Sequence, residues 1–393
     1  MKTRLLQSLD SPGQRASLLL SVISPLEELS AAASATVAPA LILTPGPVMM
    51  SPAVLHIGGR QTPYFRNAAF SAVHHAIEAL LLRAVNAPAG SRVVLFGGSG
   101  TAAMEAAVMN ATRDGDTVLA VNGGAFGQRF ADIARLHGCA VTEAPGVDDP
   151  RPLDAFEGMT GLRAVLLNAH ETSVGHRYDL EAAGAFCRRH ACLHVVDAIS
   201  AFGADEIDMV AQHVDVLVLS SNKALGLQPG LAMVVLSPAA IAARNPRPRS
   251  LYFDFGPMLA DGLRGQTPFT PPVTIMLQLH RQLQDWLARG MPALWAGAAQ
   301  LAETFRAGLG GLGLRRHGAH PSSFMTAVDV AGSGVSAREL VDRLEREHGI
   351  VVAPNGGAWA ERLFRVAHVG HVTANDMRRL LQALRQLIPG SRP

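Results

Sequence analysis

The chain has 393 residues, of which 48% are apolar and only 17% charged, and it carries a formal net charge of +2. That balance can bury a large core but excludes the broad basic field on which nucleic-acid binding depends, so the partner expected is a small molecule or another protein. The three cysteines, Cys139, Cys187 and Cys192, have neither disulfide-framework nor metal-ligand spacing, which points to a reducing, cytoplasmic setting.

Residues 1–40 read as a helical arm of Leu, Ala and Ser. Its apolar run over 17–23 ends at Ser24-Pro25 and Glu27-Glu28 without a clean cleavage site, so it does not read as a secretory leader. The stretch 31–43 is broken by Pro39 and falls short of the ~20 residues a membrane helix needs. From about Ala69 short apolar strands at 92–96, 117–121, 164–167, 193–196 and 214–219 alternate with helices, among them 101–111, 126–136 and 180–190. Strands that are continuous Val and Leu runs, joined by helical crossovers, predict a mainly parallel sheet covered on both faces.

Beyond Gly265 the texture changes. Two long helices are expected at 273–289 and 293–309, then a strand at 324–330 and a helix opening at the capping box Ser336-Ala337-Arg338-Glu339. Short strands at 350–353 and 363–366 and a last helix from Thr373 complete a smaller α+β part. The organisation expected is an arm (1–40), a large α/β domain (41–290) and a small α+β domain (291–393).

Three features along this pattern carry chemistry. The run Val93-Val94-Leu95-Phe96-Gly97-Gly98-Ser99-Gly100-Thr101 takes a strand through a glycine turn straight into a helix, which aims free amides and the positive end of the helix dipole at one spot. Gly98-x-Gly100-x-x-Ala103 also fits a dinucleotide turn, but the next strand ends in Asn122-Gly123-Gly124 rather than in an acidic residue. Further on, the strand 193–196 runs into Asp197, and the strand 214–219 runs into Ser220-Ser221-Asn222-Lys223. Ligands of parallel sheets sit at the carboxyl ends of strands, so cradle, carboxylate and amine share one rim. The chain is rich in arginine, yet Lys223 is its one lysine besides Lys2, which suggests a need for an amine that can lose its proton. A carboxylate to keep a pyridine nitrogen protonated and a lysine to hold an aldehyde as a Schiff base are what pyridoxal 5'-phosphate requires.

The motifs Thr44-Pro45-Gly46-Pro47, Gly98-Ser99-Gly100-Thr101, Asn122-Gly123-Gly124-Ala125-Phe126-Gly127, His170-Glu171-Thr172-Ser173, Asp197-Ala198-Ile199-Ser200 and Ser220-Ser221-Asn222-Lys223 occur in the order seen in class V aminotransferases. The chain resembles that family, and within it the 2-aminoethylphosphonate:pyruvate transaminases. The resemblance implies fold type I: a seven-stranded, mainly parallel sheet between helices, with a smaller α+β domain. It also implies roles. Ser99, Gly100, Thr101 and Ser220 would hold the cofactor phosphate, Phe126 would stack on its ring, Thr172 would reach the ring hydroxyl, Asp197 would pair with the ring nitrogen, and Lys223 would form the internal aldimine. Thr270, in Phe269-Thr270-Pro271-Pro272, would touch the phosphate bound by the neighbouring subunit of a homodimer, and Arg365 would grip a substrate carboxylate.

Substrate-facing positions depart from the family pattern at Tyr64, Ala169, Pro268, Ala367 and His368. The reaction expected moves an amino group from a small primary amine, 2-aminoethylphosphonate-like or an amino acid, to a keto acid such as pyruvate. A lyase or decarboxylating deaminase acting on an amino acid conjugate through the same cofactor is the alternative, and a dinucleotide-dependent oxidoreductase or a non-catalytic binding protein stands third. Desulfuration of cysteine is disfavoured because no cysteine follows Cys192.

Overall fold

Seven strands build the central sheet: β1 (Arg92–Gly97), β2 (Thr117–Asn122), β3 (Ala140–Pro145), β4 (Leu162–Asn168), β5 (Leu193–Asp197), β6 (Val216–Ser220) and β7 (Leu231–Leu236). They lie side by side in the order β1-β7-β6-β5-β4-β2-β3. From β6 through to β3 every neighbouring pair is parallel, while β7 runs antiparallel to both β6 and β1. The computed structural model describes residues 40–146 and 148–389, so the expected arm lies outside the described residues apart from Ala40.

The inner strands are mostly apolar because both faces are covered, while the edge strand β3 is half exposed. Successive side chains point to opposite faces, and Val93 and Leu95 of β1 join a core with Ile77 and Leu81 of α1 (Ala68–Ala84). Val94 and Phe96 join the opposite core, which holds Ala103 and Ala107 of α2 (Gly100–Ala111) and Phe130 of α3 (Ala125–Leu136). Phe186 of α4 (Leu180–Arg189) and Met276 and Leu283 of α5 (Val273–Arg289) fill the first core further. Then α6 (Met291–Ala307) leads to a second sheet.

That sheet is antiparallel, with β8 (Arg315–Arg316), β9 (Met325–Asp329), β10 (Ala353–Pro354) and β11 (Leu363–Ala367) in the order β8-β9-β11-β10. Its own core joins Val328, Phe364 and Val366 to Leu340 and Leu344 of α7 (Ala337–His348) and to Leu380 and Leu384 of α8 (Ala374–Leu387). Ser336 caps α7 by accepting from the Glu339 amide at 3.2 Å. The Glu339 carboxylate lies 3.7 Å from Arg343, and the reciprocal capping box is made instead at the start of α8 by Thr373 and Asp376. Among the described residues no helix is long and apolar enough to cross a membrane.

Candidate active site at the carboxyl rim of the sheet

The cradle forms where β1 turns into α2. The Gly98 amide donates to Gly230 O at 3.0 Å, which ties the turn to the start of β7. The Ser99 hydroxyl accepts from the Ala102 amide at 3.3 Å, and the first turn of α2 holds no acidic side chain. The positive end of the helix dipole therefore stands unneutralised at the rim. At Gly100 a Cβ would lie 2.5 Å from Ile199 Cδ1, so a side chain there would have to displace the Ile199 tip that packs on the start of α2.

Asp197 ends β5, in register with Asn168 at the end of β4. Its Oδ1 accepts from the Ile199 amide at 2.8 Å and its Oδ2 accepts from Asn168 Nδ2 at 2.7 Å. Burial outweighs both bonds and pushes the carboxyl up to about 6. Asn168 Oδ1 is left buried with no partner among the described residues.

Lys223 follows β6 in a turn closed by Gly226 N donating to Lys223 O at 2.8 Å and by the Ser221 hydroxyl donating to Gln228 O at 2.7 Å. Desolvation, and after it the guanidinium of Arg365, pulls the Lys223 ammonium down to about 8, with Asp197 acting in the opposite sense. The backbone of the Thr44-Pro45-Gly46-Pro47 loop packs directly on this side chain. A Cβ at Gly46, where φ is +137°, would stand 2.7 Å from Lys223 Cδ and 2.9 Å from Nζ.

Phe126 is positioned from a distance in sequence. The N-cap of α3 is Gly124, which has no side chain to offer, and Glu171 supplies the cap instead: its Oε2 accepts from the Phe126 amide at 3.1 Å and from the Gly127 amide at 2.9 Å. The Ser173 hydroxyl accepts from the Ala125 amide at 3.2 Å and donates to Glu171 Oε1. A buried carboxylate at a helix N-terminus is favoured by the dipole, and it fixes where the Phe126 ring starts.

The cradle residues Ser99, Gly100 and Thr101, the strand-end residues Asp197, Ser220 and Lys223, and Phe126 and Thr172 all line one cavity of about 420 Å³. Arg365 and Thr270 stand outside that lining. Arg365, on β11, donates from Nη2 to Pro354 O at 2.8 Å, its buried Nε has no partner, and it makes no ion pair among the described residues. Thr270 is exposed in its own chain, in an open groove with Thr62, Tyr64 and Phe65. Sequence reasoning missed Arg129, which lines the cavity one helical turn after Phe126, and missed the capping role of Glu171. The i, i+3 spacing from Phe126 was a usable signal for Arg129, whereas nothing local marks Glu171 as the cap of a helix 45 residues earlier. Elsewhere His74, His75 and Glu78 bring donor atoms within 4.8 Å of one another, but Glu78 already accepts from Arg92 at 2.6 Å and from the Val93 amide at 3.0 Å.

Residues 59–374 match the family Aminotransferase class-V, and the chain belongs to it. Its α/β architecture is that of the fold type I aminotransferases. The chain is 28% identical to the small subunit of a soluble hydrogenase from Synechococcus sp., over 89% of this chain and 93% of that one. It is 29% identical to the 2-aminoethylphosphonate–pyruvate transaminase of Salmonella paratyphi A, over 88% and 96%. The solved pyridoxamine-pyruvate aminotransferase of Mesorhizobium loti superposes with a TM-score of 0.82 at 28% identity, over 88% and 91%. The family match covers most of the chain, and these near-equal identities do not single out one relative's substrate.

Proposed function

We propose that this enzyme binds pyridoxal 5'-phosphate at Lys223 and transfers the amino group of a small primary amine, 2-aminoethylphosphonate-like or an amino acid, to a keto acid such as pyruvate. The observation that carries the reading is the convergence of a buried carboxylate and a partly desolvated amine, Asp197 and Lys223, with an anion cradle in a single cavity. That donor set fits the cofactor. Ser99, Gly100, Thr101 and the Ser220 hydroxyl would hold the phosphate, Phe126 and Thr172 would hold the ring, and Asp197 would pair with its nitrogen. Lys223 Nζ would be the amine that holds the cofactor aldehyde.

When bound, the cofactor supplies an electron sink that acidifies the substrate Cα–H. Asp197 holds a proton on the ring nitrogen. Lys223, its ammonium already brought to about 8, takes the Cα proton as a base and returns it as an acid on the cofactor side, a task suited to a group that titrates near working pH. Arg365 grips the keto acid carboxylate with a planar fork, since its Nη2 holds Pro354 O while no carboxylate among the described residues forms an ion pair with it. The relative named as a hydrogenase subunit does not bear on this chemistry, which rests on the side chains of this chain.

In the same reading residues 41–290 form the cofactor-binding domain and 291–393 the smaller one, in a cytoplasmic homodimer whose second copy brings Thr270 to the phosphate. The test is direct. Protein incubated with the aldehyde should gain a visible absorbance band that Lys223→Ala abolishes, and should convert pyruvate to alanine at the expense of an added amine. A colourless protein removes the cofactor from the reading, and a coloured one that releases ammonia without forming alanine removes the transfer.

A further inference from the structure

A phosphate monoester carries close to two negative charges at neutral pH, while a helix N-terminus offers only about half a positive one. The cradle itself is neutral: Ser99, Gly100 and Thr101 bring hydroxyls and amides. Of the side chains that line the cavity, Lys223 and Arg129 are the cations, and Lys223 is committed to the aldehyde. Arg129 Nη1 donates to Thr101 Oγ1 at 3.0 Å, and its guanidinium lies 4.8 Å from the centre of the Phe126 ring. Other partly buried arginines of the central sheet have carboxylates beside them, Glu78 at 2.6 Å from Arg92 and Asp116 at 3.6 Å from Arg163. Among the described residues Arg129 has none.

We propose that Arg129 is the fixed counter-charge for the cofactor phosphate, reaching across from α3 to the cradle on α2. The proposal rests on the pyridoxal phosphate reading and adds to it a residue that the sequence motifs leave without a role. The tethers to Thr101 and Phe126 place the fork beside the cradle, so little rotamer freedom remains to be lost on binding. A planar guanidinium also has donors to spare after the bond to Thr101, since it carries five N–H groups. The competing role is mechanical, in which Arg129 only braces Thr101 and the Phe126 ring.

Phosphate separates the two. Apoenzyme of wild type, Arg129→Gln and Arg129→Lys is titrated with pyridoxal phosphate and, in parallel, with pyridoxal, the same aldehyde without the phosphate, and the visible band is followed. A lost charge-assisted contact should weaken pyridoxal phosphate ~10- to 100-fold in Arg129→Gln. Pyridoxal should change by no more than about 2-fold, because it never used the contact. Inorganic phosphate should compete with pyridoxal phosphate more weakly in the variant than in wild type. Arg129→Lys keeps the charge but not the fork, so its loss should be smaller yet still confined to the phosphorylated aldehyde, and it decides the matter if Arg129→Gln does not fold. Equal losses for both aldehydes, or none for either, overturn the proposal. A wild type that gains no band with either aldehyde fails one level earlier, at the cofactor reading, and takes the proposal with it.

Discussion

Two pairs of charged residues in this molecule are treated in opposite ways. At the edge of the second sheet, Asp329 at the end of β9 and Arg362 just before β11 meet in a two-pronged contact, with Nη2 to Oδ2 at 2.7 Å and Nε to Oδ1 at 3.1 Å. The pairing holds the Asp329 carboxyl below its ordinary range and the Arg362 guanidinium above its own, so both charged forms are reinforced. At the rim of the central sheet, Asp197 and Lys223 make no ion pair, and burial moves the carboxyl up to about 6 and the ammonium down to about 8. The first pair is a clasp. In the second, both groups are held close to neutral pH, the range in which a proton can be traded, and the fold tolerates the desolvation. Arg365, three residues from Arg362 on the same stretch of chain, belongs with the second kind: burial lowers its affinity for a proton, the more distant Glu171 carboxylate offsets this only in part, and no ion pair forms among the described residues.

The comparison breaks most visibly at the amine. Lys223→Ala should cut amino transfer by about 10³-fold or more, since it removes both the covalent anchor and the proton carrier, and single-turnover absorbance would read both losses. Arg365→Gln comes next. Losing a charge-assisted fork of ~1.5–3 kcal/mol should raise KM for the keto acid ~10- to 100-fold while kcat with saturating keto acid changes little. A fall in kcat at unchanged KM would place Arg365 outside the substrate contact.

Stability gives the third and subtler test. Lys223 has its folded pKa below the unfolded one, so between pH 8 and 10.5 the unfolded chain binds more protons and stability rises with pH, whereas below pH 8 the full penalty of the buried cation is present. Lys223→Met should therefore stabilise the apoenzyme, by on the order of 2–3 kcal/mol near pH 7, with the gain vanishing toward pH 10.5. Urea melts of the two proteins across that range would show it. Parallel curves at every pH would mean that the amine is not desolvated in solution.

What the sequence revealed depended on how local each signal was. Asp197 and Lys223 were legible because each follows an unbroken apolar strand, and strand ends in a parallel sheet are where ligands sit. The strand β3 was overlooked because Ala140-Val141-Thr142-Glu143-Ala144-Pro145 lies at the sheet edge, half wet, with little apolar pattern. The fully buried β7 was overlooked although Leu231-Ala232-Met233-Val234-Val235-Leu236 is the same kind of unbroken apolar run as β5 and β6, so its signal was present in the sequence. Arg129 and Glu171 act through contacts between elements, with Thr101 and with the amides of α3, and such contacts exist only once the helices are packed. Thr270 is exposed and apart from the cavity of its own chain, where the reading needs a second copy.

The clasp itself supplies the smallest effect and the control for the rest. Arg362 is half exposed, with 51% of its side chain open to solvent, so screening leaves the pair a small contribution, and Arg362→Ala should lower stability only slightly at neutral pH. The sign with pH is the reverse of the one argued for Lys223. Asp329 has its folded pKa depressed, so the pair's contribution is present above the ordinary carboxylate value and is lost as pH falls through the folded one. Wild type and Arg362→Ala should therefore converge in acid, while wild type and Lys223→Met converge in base. If Arg362→Ala also altered the visible band or KM, the two sheets would be coupled, and the separation between clasp and poised pair would not hold.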